Sequence, residues 1–207
     1  MREKTRQREE ALAKQVLSAA EVVFSENGYS GARVDSIQEL SGVNKRIIYK
    51  LHGNKEALYT KVLLGVYERL AECERGYMTD ELDPVAAIRN IVRVSFGFLY
   101  ENPTFVRILM WENLNRAGAV PADVLVRLKS PSFDYIREQV RKGQQQGIFR
   151  TDIDPDQIVL SINSFSFSYF SNIHTMSIIM DKNMSATDEI TARADFVADV
   201  IIKYLAK

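Results

Sequence analysis

The 207-residue sequence predicts an all-α protein, with a compact N-terminal bundle of three helices followed by a larger helical domain. Three observations carry this. Apolar residues recur at three- and four-residue steps, five prolines and ten glycines leave room for long helices, and alternating strand-like runs are absent. Asp83-Pro84, Asn102-Pro103, Ser130-Pro131 and Asp154-Pro155 each set a capping residue before proline, and each predicts a helix start.

Leu12, Val16, Ala19, Ala20, Val23 and Phe24 define the first helix, which Asn27-Gly28 ends with a left-handed turn. Short helices over 34–40 and 45–51 flank Ser41-Gly42. Asn54 then caps a long helix bearing Leu58, Val62, Val66 and Leu70. The expected domains are therefore 1–54 and 55–207. With no flexible linker between them, they should be mechanically coupled. Residues 158–180 contain no Asp, Glu, Lys or Arg, but their ten Ser, Asn, Thr and His are too many for a lone span in lipid. The expectation is a helix buried in protein. Ser185 and Asp188 suggest a capping box for a last helix ending near Leu205.

Lys+Arg and Asp+Glu both total 27, so the whole chain exerts no global pull on nucleic acid. Residues 1–55, however, hold ten basic and seven acidic side chains, and 40–55 hold four bases and no acid. Cys73 is the only cysteine, which excludes an intrachain disulfide, and the charged N-terminus lacks a secretory signal's apolar stretch. A cytoplasmic protein with no membrane partner is expected. Two histidines and no Cys/His cluster argue against a metal site, and no cofactor is expected. His174 reads as a hydrogen-bonded core residue. Without a phosphate-binding glycine loop, a His-Glu-x-x-His or a nucleophile elbow, nothing points to an enzyme.

Segment 34–55 has the requirements of a helix-turn-helix. Ile37 and Leu40 anchor the first helix, Gly42 allows the turn, Val43 plugs the corner, and Ile48 holds the second helix. Asn44, Lys45, Arg46, Ile47, Tyr49 and Lys50 are left outward, where a major groove would meet them. Arg46 suits bidentate reading of guanine and Ile47 a thymine methyl. Tyr49 and Lys50 suit phosphates, and Lys55 adds its charge to the free N–H groups opening the long helix.

Val16-Leu17-Ser18-Ala19-Ala20, Val23-Phe24 and Gly28-Tyr29 resemble the first helix of the TetR/AcrR regulators. Ile37, Ser41-Gly42-Val43-Asn44-Lys45, Tyr49 and Gly53-Asn54-Lys55-Glu56-Ala57-Leu58 continue the resemblance at the family's spacing. Gly147-Ile148-Phe149-Arg150 before Asp154-Pro155 resembles the family's connection between its seventh and eighth helices. Three positions depart from the pattern. Gln38 stands where alanine is usual, Arg33 replaces a threonine that often touches phosphate, and Leu51-His52 replace an aromatic or histidine followed by phenylalanine. His52 is open between a phosphate contact and a core plug.

The resemblance implies sequence-specific binding of double-stranded DNA, most commonly as a repressor, a small-molecule effector, and a homodimer formed through the last two long helices. Ser161, Ser164, Ser168, Ser171 and Thr175 form a small-residue stripe suited to close helix approach. Phe165, Tyr169, Asn172 and Met176 form the neighbouring stripe, and Phe96, Tyr100, Met110, Trp111 and Asn115 are further candidate cavity walls. The competing reading is a helical protein–protein adaptor without sequence-specific DNA binding.

Overall fold

A computed structural model describes residues 2–79, 82–115 and 118–207, apart from the side chains of Arg2, Lys4 and Thr5. Among these residues the regular structure is helical, apart from one isolated bridge between Phe149 and Ala206. The chain forms two compact units, residues 1–68 with 107–124, and residues 69–106 with 125–207. The predicted 1–54 bundle lies inside the first unit.

In the first unit, α1 (Arg2–Gly31) packs on α2 (Val34–Ser41) and α3 (Lys45–His52), and α4 (Lys55–Arg75) begins. Val16, Ala20, Phe24, Ile37, Val43, Ile48, Leu58 and Leu63 are buried together as its core. The expected stop at Gly28 is a kink within α1, with a left-handed φ of 64°, and a Cβ there would lie 2.9 Å from the Trp111 ring. Glycine is thus required twice over, by backbone and by space. Trp111, from the part of α6 (Pro103–Leu114) within this unit, donates its Nε1–H to the Ser25 carbonyl at 3.2 Å. One residue on, buried Glu112 accepts the Tyr59 hydroxyl at 2.6 Å. The Tyr59 hydroxyl is held well above its ordinary pKa, first by burial and then by that hydrogen bond.

The second unit contains α5 (Pro84–Glu101), α7 (Ala122–Gln145) from Leu125 onward, α8 (Pro155–Ser171), α9 (Ile173–Ile179) and α10 (Thr187–Leu205). α5 packs on α8 and α10. Two ion pairs one turn apart, Arg89–Asp199 and Arg93–Asp195, both 2.7 Å, flank the α5–α10 seam. Phe149 is fully buried against Gly143, where a Cβ would fall 2.1 Å from its ring. The adjacent Arg150 N–H donates to the Leu205 carbonyl at 2.8 Å, which ties the 147–150 turn to the end of α10.

Asp83, Asn54 and Asp154 cap their helices as expected, each accepting first-turn N–H groups at 2.8–3.0 Å. Five expectations are corrected. Pro131 starts no helix and lies inside α7, on its exposed side. It has no N–H to offer the carbonyl of Arg127 one turn earlier, itself an exposed residue. The 158–180 helix breaks at Asn172, whose φ of −112° and ψ of 7° end α8 before α9 begins. Nor is that segment buried all round, since Leu160, Phe165, Ile178, Ile179 and Met180 are exposed, as is His174. The Ser185 capping box does not form. Ala186 is the N-cap of α10, while the Ser185 N–H is taken up by Asn183 Oδ1 at 3.2 Å.

Candidate nucleic-acid interface

The turn between α2 and α3 is fixed by polar atoms as much as by apolar ones. Gly42 adopts φ 65° and donates to the Gln38 carbonyl at 2.8 Å. Gln38, the departure where alanine was expected, turns its Oε1 to accept the Lys45 N–H at 2.7 Å. It thus satisfies one of the free donors that open α3. Asn44 accepts the Arg46 N–H at 2.9 Å and caps the same turn. Gln15 reaches from α1 to the Ser41 carbonyl at 2.6 Å. The angle between the helices therefore rests on three side-chain amides besides Ile37, Val43 and Ile48, whereas Leu40, expected to anchor α2, is exposed.

On this frame Arg46, Ile47, Tyr49 and Lys50 are exposed, while Ile48 and His52, one turn apart, point inward. Arg33 is exposed at the N-cap of α2. Arg46 and Arg33 have no ion-pair partner among the described residues. Lys45 and Lys50 do have one. Lys45 Nζ lies 2.8 Å from Asp35 on α2, and Lys50 Nζ lies 2.6 Å from Glu9 on α1. The acid-free run in sequence is therefore not acid-free in space. Both pairs are exposed, so a phosphate can replace either carboxylate. Lys55 lies over the Tyr29 ring, 4.7 Å from its centroid.

His52 is a core plug. It is 4% exposed, and neither ring nitrogen has a hydrogen-bond partner. Burial lowers its pKa below the ordinary imidazole value, the nearby Lys61 charge lowers it further, and the Ala13 backbone opposes weakly. The ring is neutral in the folded protein at neutral pH.

The candidate ligand residues separate between the two units. In the second unit, Phe165, Tyr169, Asn172 and Met176 line one cavity of about 510 Å³ at α8, α9 and the start of α10. Phe96 backs it from the core, its ring 5.8 Å from those of Tyr169 and Phe170. Tyr100 is half exposed and meets the Thr187 hydroxyl at 3.3 Å. Met110, Trp111 and Asn115 belong to the first unit instead. Met110 and Trp111 line a shallow pocket with Ser25, and Asn115 lines a separate one with Tyr59 and Glu112. Met180, Lys182 and Met184, brought by the turn at 180–186, and Arg193 on α10 join the 510 Å³ cavity without having been singled out in sequence.

Residues 16–62 match the family model described as bacterial regulatory proteins, tetR family, and residues 84–201 match a tetracyclin repressor-like C-terminal domain. The chain is 32% identical over 196 residues to the HTH-type transcriptional repressor NicS of Pseudomonas putida, spanning 93% of this chain and 91% of that one. It is 34% identical over 109 residues to the HTH-type transcriptional regulator RutR of Escherichia coli K12, spanning 53% of this chain and 50% of that one. Among solved structures, the fatty acid degradation regulator FadR from Bacillus halodurans shares the fold, with a TM-score of 0.68 at 19% identity over 92% of this chain and 94% of that one. No described helix is long and apolar enough to cross a membrane.

Proposed function

Since the chain belongs to the TetR family of DNA-binding transcriptional regulators, we propose that it is a homodimeric repressor released from a palindromic operator by a small-molecule effector. The observation that carries the DNA half is the outer face of α3. Arg46, Ile47 and Tyr49 project from a helix whose angle and first turn are fixed from behind. Arg46 and Ile47 read bases. Arg33, Tyr49, Lys50 and Lys55 hold phosphates, while Asn44 and Lys45 lie at the first turn, nearest the groove. Such a protein works on the bacterial chromosome, in the cytoplasm. Nothing favours the adaptor reading.

The outer faces of α8 and α10 support the homodimer. Leu160, Phe196, Val200 and Tyr204 are exposed there, beside the small side chains of Ser164 and Ser168. The 510 Å³ cavity is of a size that holds a drug-sized molecule, and its lining is mainly apolar with a few polar points. Effector binding acts by selecting a dimer whose two recognition helices no longer match half-sites about 34–36 Å apart.

Selection of bound duplexes from a random pool tests the reading directly, with enrichment of one palindrome expected. Arg46→Ala should then relax base preference, costing about 1–3 kcal/mol on the enriched site. Lys55→Ala should weaken every duplex about equally. An exchange of those two outcomes overturns the assigned roles, and a dimer that enriches no sequence overturns the repressor.

A further inference from the structure

The geometry points to an apolar anion, a carboxylate or sulfonate on an aromatic or aliphatic body, as the ligand class of the cavity formed by α8, α9 and α10. This inference rests on the effector reading and gives it a chemistry. Phe165, Tyr169, Met176, Met180 and Met184 supply the apolar wall. Three of these are methionines, whose unbranched, polarisable side chains reshape to an incoming surface. The Tyr169 hydroxyl does not compete for ligand, because it donates to the Met184 carbonyl at 2.7 Å and holds the 180–186 turn in place.

Charge then decides which ligand fits. Three ionisable side chains besides Tyr169 line the cavity, Lys182, Glu189 and Arg193. Lys182 and Glu189 lie 2.5 Å apart and neutralise one another. Arg193 has no carboxylate partner among the described residues, and its guanidinium lies against the Phe196 ring, 5.4 Å from the centroid. Arg193 is part-buried, and a guanidinium over an aromatic ring keeps donors free in the fork that matches a carboxylate or sulfonate. The cavity therefore carries one unpaired positive charge beside an apolar wall. A neutral ligand leaves that charge unanswered and a cationic one is repelled.

Two fluorescent probes of nearly the same shape test this on the full-length protein. 8-Anilinonaphthalene-1-sulfonate carries the anion, and N-phenyl-1-naphthylamine lacks it. The sulfonate should saturate at one molecule per chain and bind about tenfold or more tighter than the neutral probe. Arg193→Gln should erase that preference while leaving the neutral probe's affinity within about twofold, and Ala192→Trp, which fills the cavity, should abolish both. Equal affinity of the wild type for both probes overturns the proposal without recourse to any variant. So does a preference that survives Arg193→Gln, or the failure of either probe to bind because a second copy already fills the groove. The operator selection is read separately. An enriched palindrome with no sulfonate preference removes the anion site alone. A sulfonate preference that leaves operator affinity unchanged upholds the site and removes its role as effector site.

Discussion

Three side chains at the DNA-facing end show how far a residue's type underdetermines its role. Gln38 stands where alanine is usual, and its amide finds a partner by closing the first turn of α3 through the Lys45 N–H. Lys45 looked like a free outward cation and Lys50 like a free phosphate ligand, yet Asp35 and Glu9 pair with them. Glu9→Gln should therefore raise affinity for all duplexes about two- to fivefold and steepen the salt dependence, as fluorescence anisotropy titrations would read. Equal affinities would mean that the pair does not persist in solution. His52 has the opposite character, an ionisable ring with nothing to ionise against. The unfolded chain takes up a proton near the ordinary imidazole value of about 6.5, and the folded chain resists to lower pH. Stability is thus full above that value and lost as pH falls through the lowered folded value. His52→Leu should abolish that acid-side loss and add about 1 kcal/mol at pH 7, because the two unpaired nitrogens no longer need burial. Denaturant unfolding at pH 7 and pH 5 decides it; equal pH sensitivity of the two proteins refutes it.

At the scale of elements, the helix-turn-helix was legible because most of what defines it is local, Gln15 from α1 being the exception. A glycine at the turn, a capping asparagine and apolar residues three and four apart lie within about twenty positions. The partners of Lys45 and Lys50 were not legible, since they come from other helices. Pro131 misled because a proline after serine marks a start only where a helix is not already running, and its exposed face can spare a hydrogen bond. The break at Asn172 was hidden for a related reason, as an asparagine that ends a helix differs from one within it only in two backbone angles. Phe149 stood out in the sequence only as part of the 147–150 turn, and nothing singled out Gly143, which it packs against. Gly143→Ala puts a methyl into the Phe149 ring and should cost about 3 kcal/mol, releasing the turn that holds the end of α10. A thermal midpoint within a degree of wild type would show that Phe149 has room to move.

For the molecule as a whole, periodicity gave the helices but not their allocation. Met110, Trp111 and Asn115 follow the same spacing rules as Phe165 and Tyr169, yet they belong to the other unit. The exposed apolar face of α8 and α10 is a whole-molecule matter too, because only a second copy removes it from water under the proposed dimer. Phe196→Glu should give monomers by sedimentation and reduce affinity for the palindrome to that for a single half-site. A dimer that persists would place the interface elsewhere. The two lysine–carboxylate pairs on the recognition unit also reach beyond the contact itself. A DNA-binding regulator faces on the order of a million competing chromosomal positions for each operator. Under the proposed contacts, a surface that has to let go of its own acids before holding a phosphate lingers less at each wrong position. The rest of the genome then soaks up less of the protein, and the search for the operator is shorter.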